Sequence, residues 1–133
     1  YERILEIEKE TRHDVIAFVS NMAENIGPEG RYVHYGLTSS DVLDTALSVQ
    51  IQKAGSVLLG SVEKLLKSLK TLSLEQQKTL CAGRTHGMHA EPTTFGFKMA
   101  GYYLEMKRHR DRVQKSLQQM AVGKLSGAVG TYS

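Results

Sequence analysis

The strongest constraint on this chain is a run of apolar residues that recurs every three or four positions between residues 47 and 72. That spacing puts the apolar side chains on one face of an α-helix, and its persistence over several heptads predicts the seam of a helical bundle. Residues 38–40 are good N-cap residues, so we expect the helix to begin there and to run to about residue 78. At about 1.5 Å per residue it would be about 60 Å long. The seam residues are Leu47, Ile51, Ala54, Leu58, Val62, Leu65, Leu69 and Leu72.

Two shorter helices and a second long helix complete the expected secondary structure. Residues 2–10 follow the helical pattern, and a capping box of Thr11 and Asp14 starts another short helix, which GPEG at 27–30 ends. A segment at about 94–120 repeats the long seam pattern. The glycine-rich stretch after it is expected to be flexible, and no segment predicts a strand. The apolar seam of the second long helix consists of Met99, Tyr103, Met106, Val113, Leu117 and Met120.

These elements predict an all-α fold of long antiparallel helices forming part of a bundle, preceded by the short helices of a small helical subdomain. We place the boundary at GPEG, so residues 1–30 would end an N-terminal helical domain and residues 31–133 would begin a central long-helix domain. Two long helices cannot bury both apolar stripes against each other and one small cap. The sequence therefore predicts a homo-oligomer, or partner helices from further sequence.

Composition narrows the class of protein. Hydrophobic residues make up 41% and charged residues 23%, values typical of a soluble globular protein rather than of a disordered tail. The net charge of +3 and the pI near 9.0 favour an anionic small molecule over nucleic acid, because no Lys/Arg tract with interleaved aromatics occurs. No apolar run is long enough to cross a bilayer, so we expect no membrane association. The single Cys81 excludes an internal disulfide and favours a reducing, cytoplasmic setting.

Three polar clusters, TRHD, HYGLTSSD and GRTHGMHAEP, interrupt the helices at or beside helix ends. In the second cluster, the hydroxyls of Thr38 and Ser39 and the free amides of a helix N-terminus form a receptor for a carboxylate or phosphate. The same hydroxyls would equally serve as plain N-caps. In the first cluster, His13 beside Arg12 either contacts an anion or is an ordinary surface residue. His34, in the second cluster, could likewise be a structural residue rather than a ligand contact.

The third cluster holds the residue best suited to proton transfer. Imidazole side chains are the usual proton donors and acceptors of enzymes, so His86 is a candidate for that role, although a structural histidine between helices is the alternative. Cys81, His86 and His89 also raise the question of a metal, but their spacing fits no zinc pattern and no second ligand pair appears. We therefore expect no metal. The sequence contains no phosphate-binding P-loop, no dinucleotide fingerprint and no serine nucleophile elbow.

Taken together, the clusters resemble the motifs of a known enzyme family. TRHDVIAF, VHYGLTSSDVLDTA, GRTHGMHAEPTTFG and GKLSGAVGTY are similar, in that order and over nearly the whole chain, to stretches of the adenylosuccinate lyases, within the fumarase/aspartase superfamily. The resemblance implies a β-elimination that cleaves a C–N bond and releases fumarate. The substrates would be adenylosuccinate, which gives AMP, and the succinyl-carboxamide intermediate of purine synthesis. The resemblance also implies a cytoplasmic homotetramer whose long helices form one central bundle, with no metal or organic cofactor.

The resemblance further implies roles for individual residues. His86 would be the general acid that protonates the departing nitrogen, with Thr85 beside it as a substrate contact. Thr38 and Ser39 would bind the succinyl carboxylate, where hydroxyls and amides stabilise the charge that develops on proton removal. His13 would also be catalytic, because it would help to position the proton donor. The contacts on the nucleotide and phosphate side would be Arg12, His13, Asp14 and His34.

One part of the family's site is absent from this sequence. The general base of the family is a serine on a mobile loop with the signature S-S-x-M-P-x-K-x-N-P, which does not occur here. We therefore expect the chain to be a fragment that does not turn over substrate alone, and fumarate release by the isolated 133 residues would contradict this. Two alternatives stay open. One is another lyase or cycloisomerase of the superfamily, such as a carboxymuconate cycloisomerase, and the other is a helical oligomerisation module without chemistry.

Overall fold

The structure, a computed structural model, describes residues 1–132 and is built mainly of helices, which confirms the predicted helical fold. Within these residues, no helix is both long and apolar enough to cross a membrane. In chain order the elements are α1 (Glu2–Thr11), α2 (Asp14–Ile26), a 3₁₀ helix (Pro28–Tyr32), α3 (Ser39–Glu75), β1 (Leu80–Thr85), β2 (Met88–Thr94) and α4 (Phe95–Met120).

The chain forms two compact units. The first unit comprises residues 1–49 together with 122–133, and the second comprises residues 50–121. Helix α3 therefore contributes its first turns to the first unit and the rest of its length to the second. The domain boundary that the sequence places after residue 30 stays a prediction.

In the first unit, α1 and α2 pack through the buried side chains of Ile7, Val15 and Ala17. The cap between these helices differs from the predicted capping box. The N-cap of α2 is His13, while Thr11 is the last residue of α1 and its hydroxyl donates to the His13 carbonyl at 3.2 Å. The prediction was wrong because Arg12 ends α1 in the left-handed conformation, at φ 53°, and so moves the start of α2 beyond Thr11.

In the second unit, the two long helices run antiparallel, as predicted. The Gln52 side chain donates to the carbonyl of Leu117 at 2.7 Å, and Arg110 donates to the carboxylate of Glu63 at 3.2 Å. The contact that is later in α3, at Glu63, is therefore made by the residue that is earlier in α4, Arg110. Leu66 is the buried apolar side chain on the α3 side of this unit. Helix α3 ends at Glu75, three residues before the predicted position of about 78.

Only part of the predicted α3 seam is covered within the chain. Leu47, Leu58 and Leu65 are 53%, 51% and 43% exposed, whereas Leu66, outside the predicted seam, is only 5% exposed. A straight α-helix drifts by about 20° per heptad relative to a strict 3.5-residue repeat, so one stripe cannot follow one neighbour over this length. The apolar spacing was correct, but the stripe lies against α4 only in part, as at Leu65 and Leu69 beside Tyr102 and Met106, and it leaves large aliphatic side chains in contact with solvent.

The run between the long helices is a β-hairpin, which corrects the expectation that the chain holds no strand. Strands β1 and β2 pair antiparallel, from Leu80 opposite Thr94 to Thr85 opposite Met88. The register shifts at a bulge between Ala82 and Arg84. Pairing satisfies the backbone donors and acceptors that a loop would leave to solvent. The hairpin therefore gives the GRTHG motif a defined backbone instead of a mobile one.

The glycine-rich segment that follows α4 is held in place, so the prediction of a flexible stretch was wrong. The hydroxyl of Thr45, in α3, accepts from the amide of Lys124 at 2.9 Å and donates to its carbonyl at 3.2 Å. Asp41, one turn earlier, accepts from the amides of Ser126 and Gly127. The segment has a backbone hydrogen bond of its own, from the Tyr132 amide to the Ser126 carbonyl at 2.9 Å, and side chains from the start of α3 supply further partners.

Candidate functional site

The first unit brings two of the polar clusters into contact. The hydroxyl oxygen of Ser39 lies 3.4 Å from Nε2 of His13, 26 residues away in sequence. Nδ1 of His13 accepts from the amide of Ile16 at 3.4 Å, so a neutral ring in this arrangement carries its proton on Nε2, the nitrogen beside Ser39. Because the ring is exposed, an imidazole N–H and a hydroxyl are presented together to any ligand at this position.

The end of α3 beside this pair has the features of an anion receptor. The helix begins at Ser39, and the carboxylate of Asp41 accepts from the Thr38 amide at 3.0 Å. The first amides of a helix have no partner within it, so those of Ser39 and Ser40 remain for a bound anion. Capping and anion binding are therefore compatible here, because Asp41 performs the capping and leaves the hydroxyls of Thr38 and Ser39 for other partners.

The residues assigned to the nucleotide side lie at several places in the first unit. Arg12 at the end of α1 and Asp14 at the start of α2 are both exposed, and one Asp14 oxygen lies 3.4 Å from Nδ1 of His13. His34 follows the 3₁₀ helix and is half-buried. Its Nδ1 is a buried atom with no hydrogen-bond partner among residues 1–132. Since buried polar atoms usually have partners, this nitrogen is an exception among the described residues.

The second unit carries Thr85 and His86 at the tip of the hairpin. Thr85 pairs with Met88, so His86 and Gly87 form a two-residue turn. Both turn residues have positive φ, 51° and 76°, as a type I′ turn requires. Asn-Gly is the preferred pair for this turn, and histidine adopts positive φ less readily. The His86 side chain is exposed at the tip of the hairpin.

Asp41 and Lys124 are the charged residues that sequence reasoning missed. Asp41 is not among the predicted site residues, but it is 3% exposed and lies 2.6 Å from the Lys124 ammonium. The hydrogen bond from Lys124, followed by those from the amides of Ser126 and Thr38, holds the pKa of Asp41 well below its ordinary value. The signal in the sequence was a carboxylate two residues after a helix start, which gives no indication of a partner 83 residues away.

The depressed pKa of Asp41 predicts a specific loss of stability in acid. The folded protein resists protonating this carboxylate, so the unfolded chain binds the proton first as the pH falls. The contribution of Asp41 is therefore present above pH of about 4, begins to be lost below it, and disappears once the pH passes the pKa of the folded state. Urea unfolding of the parent chain and of Asp41→Asn should differ at neutral pH and converge in acid. Two curves that stay parallel from neutral pH into acid would contradict this.

Comparison with known proteins places these motifs in a family. The chain is 53% identical to an adenylosuccinate lyase of Synechocystis sp. over 99% of its length and 31% of that protein. It is 52% identical to the adenylosuccinate lyase of Bacillus subtilis (strain 168) over 98% of its length and 30% of that protein. The chain therefore spans about a third of the length of these relatives. The resemblance to adenylosuccinate lyases that the motifs indicated is confirmed.

Solved structures share the backbone arrangement. A fumarate lyase from Mesorhizobium sp. BNC1 superposes with a TM-score of 0.91 at 32% identity, over 98% of this chain and 31% of that one. A β-carboxy-cis,cis-muconate cycloisomerase from Acinetobacter calcoaceticus sp. ADP1 superposes with a TM-score of 0.87 at 27% identity, over 98% of this chain and 31% of that one. The family model described as "Lyase" matches residues 1–133. With that match over its full length, the chain belongs to the lyase family.

Proposed function

We propose that this sequence supplies substrate-binding and proton-transfer residues of an adenylosuccinate lyase. The reaction would be a β-elimination that cleaves a C–N bond and releases fumarate, from adenylosuccinate to give AMP and from the succinyl-carboxamide intermediate of purine synthesis. The observation that carries the proposal is the 53% identity over 99% of the chain to a protein of that name. Identity to the muconate cycloisomerase of similar backbone is 27%, which makes a cycloisomerase the weaker candidate.

The site residues follow the chemistry of the elimination. Proton removal next to a carboxylate builds negative charge on that group, and the hydroxyls of Thr38 and Ser39 with the amides at the start of α3 would stabilise it. The departing nitrogen needs a proton, which His86 would supply from the turn of the hairpin, with Thr85 contacting the substrate. His13 would help to position the proton donor through the Nε2 proton that faces Ser39. Arg12, Asp14 and His34 would contact the nucleotide and its phosphate.

The proposal includes the assembly state and the setting of the enzyme. The exposed leucines of α3 favour association into a helical bundle, because monomers rarely leave so many large apolar side chains on one stripe. We propose a homotetramer in the cytoplasm, where the single Cys81 would remain reduced. The ligand would be a purine nucleotide, and the reaction would use no metal or organic cofactor. No nucleic acid or membrane would take part.

A chimeric enzyme tests this proposal directly. The matched segment of the Bacillus subtilis adenylosuccinate lyase, 131 residues at 52% identity, would be replaced by this chain. We expect the purified chimera to release fumarate from both purine substrates and to elute as a tetramer on size-exclusion chromatography with light scattering. A folded, tetrameric chimera without fumarate release from either substrate would refute the proposed activity. Turnover of a carboxymuconate alone would favour the cycloisomerase.

A further inference from the structure

The start of α3 contains a buried carboxylate beside the residues that are proposed to bind an anion. Asp41 is 3% exposed and lies in the first turn of the helix. Its Oδ1 accepts from Lys124 Nζ at 2.6 Å and from the Ser126 amide at 3.0 Å. Its Oδ2 accepts from the Thr38 amide at 3.0 Å and from the Gly127 amide at 3.3 Å. One carboxylate thus joins the helix end to the segment after α4.

This carboxylate creates an electrostatic conflict. A helix N-terminus attracts anions through its amides and dipole, but a buried negative charge in the same turn repels a second anion. The conflict is resolved by Lys124, whose ammonium is in direct contact with Oδ1 and whose side chain is 31% exposed. Lys124 is held there by both of its backbone polar groups, which bond to the hydroxyl of Thr45. The fold therefore places the cation where it cancels the charge of Asp41.

We propose that Lys124 is a positioning residue for substrate binding, because it neutralises Asp41 and so allows the Thr38–Ser39 end of α3 to accept a carboxylate. The inference rests on the proposed function, since it assigns to this helix end the carboxylate of the succinyl group. Lys124 does not touch the reacting atoms, and it acts through Asp41. With Lys124 in place, the charges of the pair cancel at the start of α3. Without Lys124, Asp41 would leave a net negative charge there.

Kinetics of the chimera separate this role from a merely structural one. We expect Lys124→Met to raise the KM for adenylosuccinate by about tenfold or more and to lower kcat as well, because the unpaired Asp41 repels the carboxylate in the ground state and also the charge that develops on it in the transition state. Added salt should reduce the effect only slightly, because salt screens a buried charge such as that of Asp41 much less than an exposed one. Lys53→Met, which removes an exposed lysine of α3, is the matched control and should leave both constants unchanged.

A second substitution tests whether charge is the cause. In Asp41→Asn/Lys124→Met the unpaired carboxylate is gone, and the Asn carbonyl can still accept from the amides of Thr38 and Gly127. We expect the KM of this double variant to return to within about threefold of the parent value, the non-additivity expected of directly coupled groups. If Lys124 only holds the segment together, the double variant will be worse than either single one. That result, or an unchanged KM in Lys124→Met, would overturn the inference.

A binding measurement keeps this inference separate from the proposed activity. Fumarate can be titrated into the 133-residue chain while NMR follows the amide signals of Ser39 and Ser40. We expect Lys124→Met to weaken fumarate binding at these amides by about tenfold and the double variant to restore it, whether or not the chimera turns over. Absence of turnover with this pattern intact would refute the activity alone. Equal fumarate affinity in the parent and in Lys124→Met would refute the role of Lys124.

Discussion

Replacing His86 with Asn in the chimeric enzyme is expected to lower the rate of fumarate release by about 10²–10⁴ without weakening the hairpin. The two halves of this result have separate causes. Asn cannot exchange a proton near neutral pH, so the departing nitrogen would leave without its general acid. At the turn, however, Asn-Gly is the favoured pair for two residues with positive φ, which histidine adopts at some cost. Catalysis and local stability therefore respond in opposite directions.

The control for this experiment lies on the same hairpin. His89, in β2, is also exposed, pairs with Arg84 in the register, and has no role in the proposed site. We expect His89→Asn to keep kcat within about threefold of the parent value. Hydrogen exchange of the strand amides reports hairpin stability in both variants. Equal losses of rate in the two variants, or normal turnover by His86→Asn, would remove His86 from the proposed role.

Replacing Gly96 with Ala is expected to destabilise the fold by about 3 kcal/mol, at the upper end of what overpacking costs. Gly96 is buried in the first turn of α4, where its amide donates to the Gln76 carbonyl at 2.9 Å. An added Cβ would meet the carbonyl carbon of Gln76 and the Cα of Gln77, each at 2.6 Å. These are backbone atoms that cannot rotate aside, so the end of α3 would have to move.

Gly101 provides the matched control because it lies in the same helix with open space around it. A Cβ at Gly101 would meet nothing within 4 Å. Gly101→Ala is therefore expected to stabilise the protein by up to about 1 kcal/mol through the lower entropy of the unfolded chain. Urea unfolding followed by circular dichroism measures both changes. Similar unfolding midpoints for the Gly96 and Gly101 variants would show that the junction after α3 is not closely packed.

The helices were predictable because their signal is local. Apolar residues that recur every three or four positions identify a helix without reference to the elements around it. The ends of α3 and α4 accordingly fell within three residues of the prediction. The hairpin was not predictable in the same way. Its strands, LCAGRT and MHAEPTT, contain few β-branched or aromatic residues and one proline, and the turn is His-Gly rather than Asn-Gly. The hydrogen bonds between the two strands stabilise the extended conformation that their low β-propensity does not favour.

The sequence predicts a set of candidate site residues but not their arrangement. The motifs point to Ser39 and His13 as candidates, but the contact between these two side chains depends on packing that brings together residues 26 positions apart. The charge balance at the helix end was hidden for the same reason, since Lys124 lies 83 residues from Asp41. The glycine-rich segment was predicted to be flexible because glycine gives the unfolded chain many accessible conformations. Its order in the folded protein comes from hydrogen bonds to α3, which is distant in sequence.

The hydrogen bonds between the start of α3 and the segment after α4 also have a consequence for the order in which the protein is expected to fold. The α1–α2 pair and the hairpin join residues close in sequence, so they form after short loop closures. Asp41 reaches Ser126 only across 85 residues, a much longer closure. We infer that the start of α3 is among the last parts of the chain to become native. A nascent or partly unfolded chain would therefore contain Thr38 and Ser39 before these residues are arranged at a native helix end.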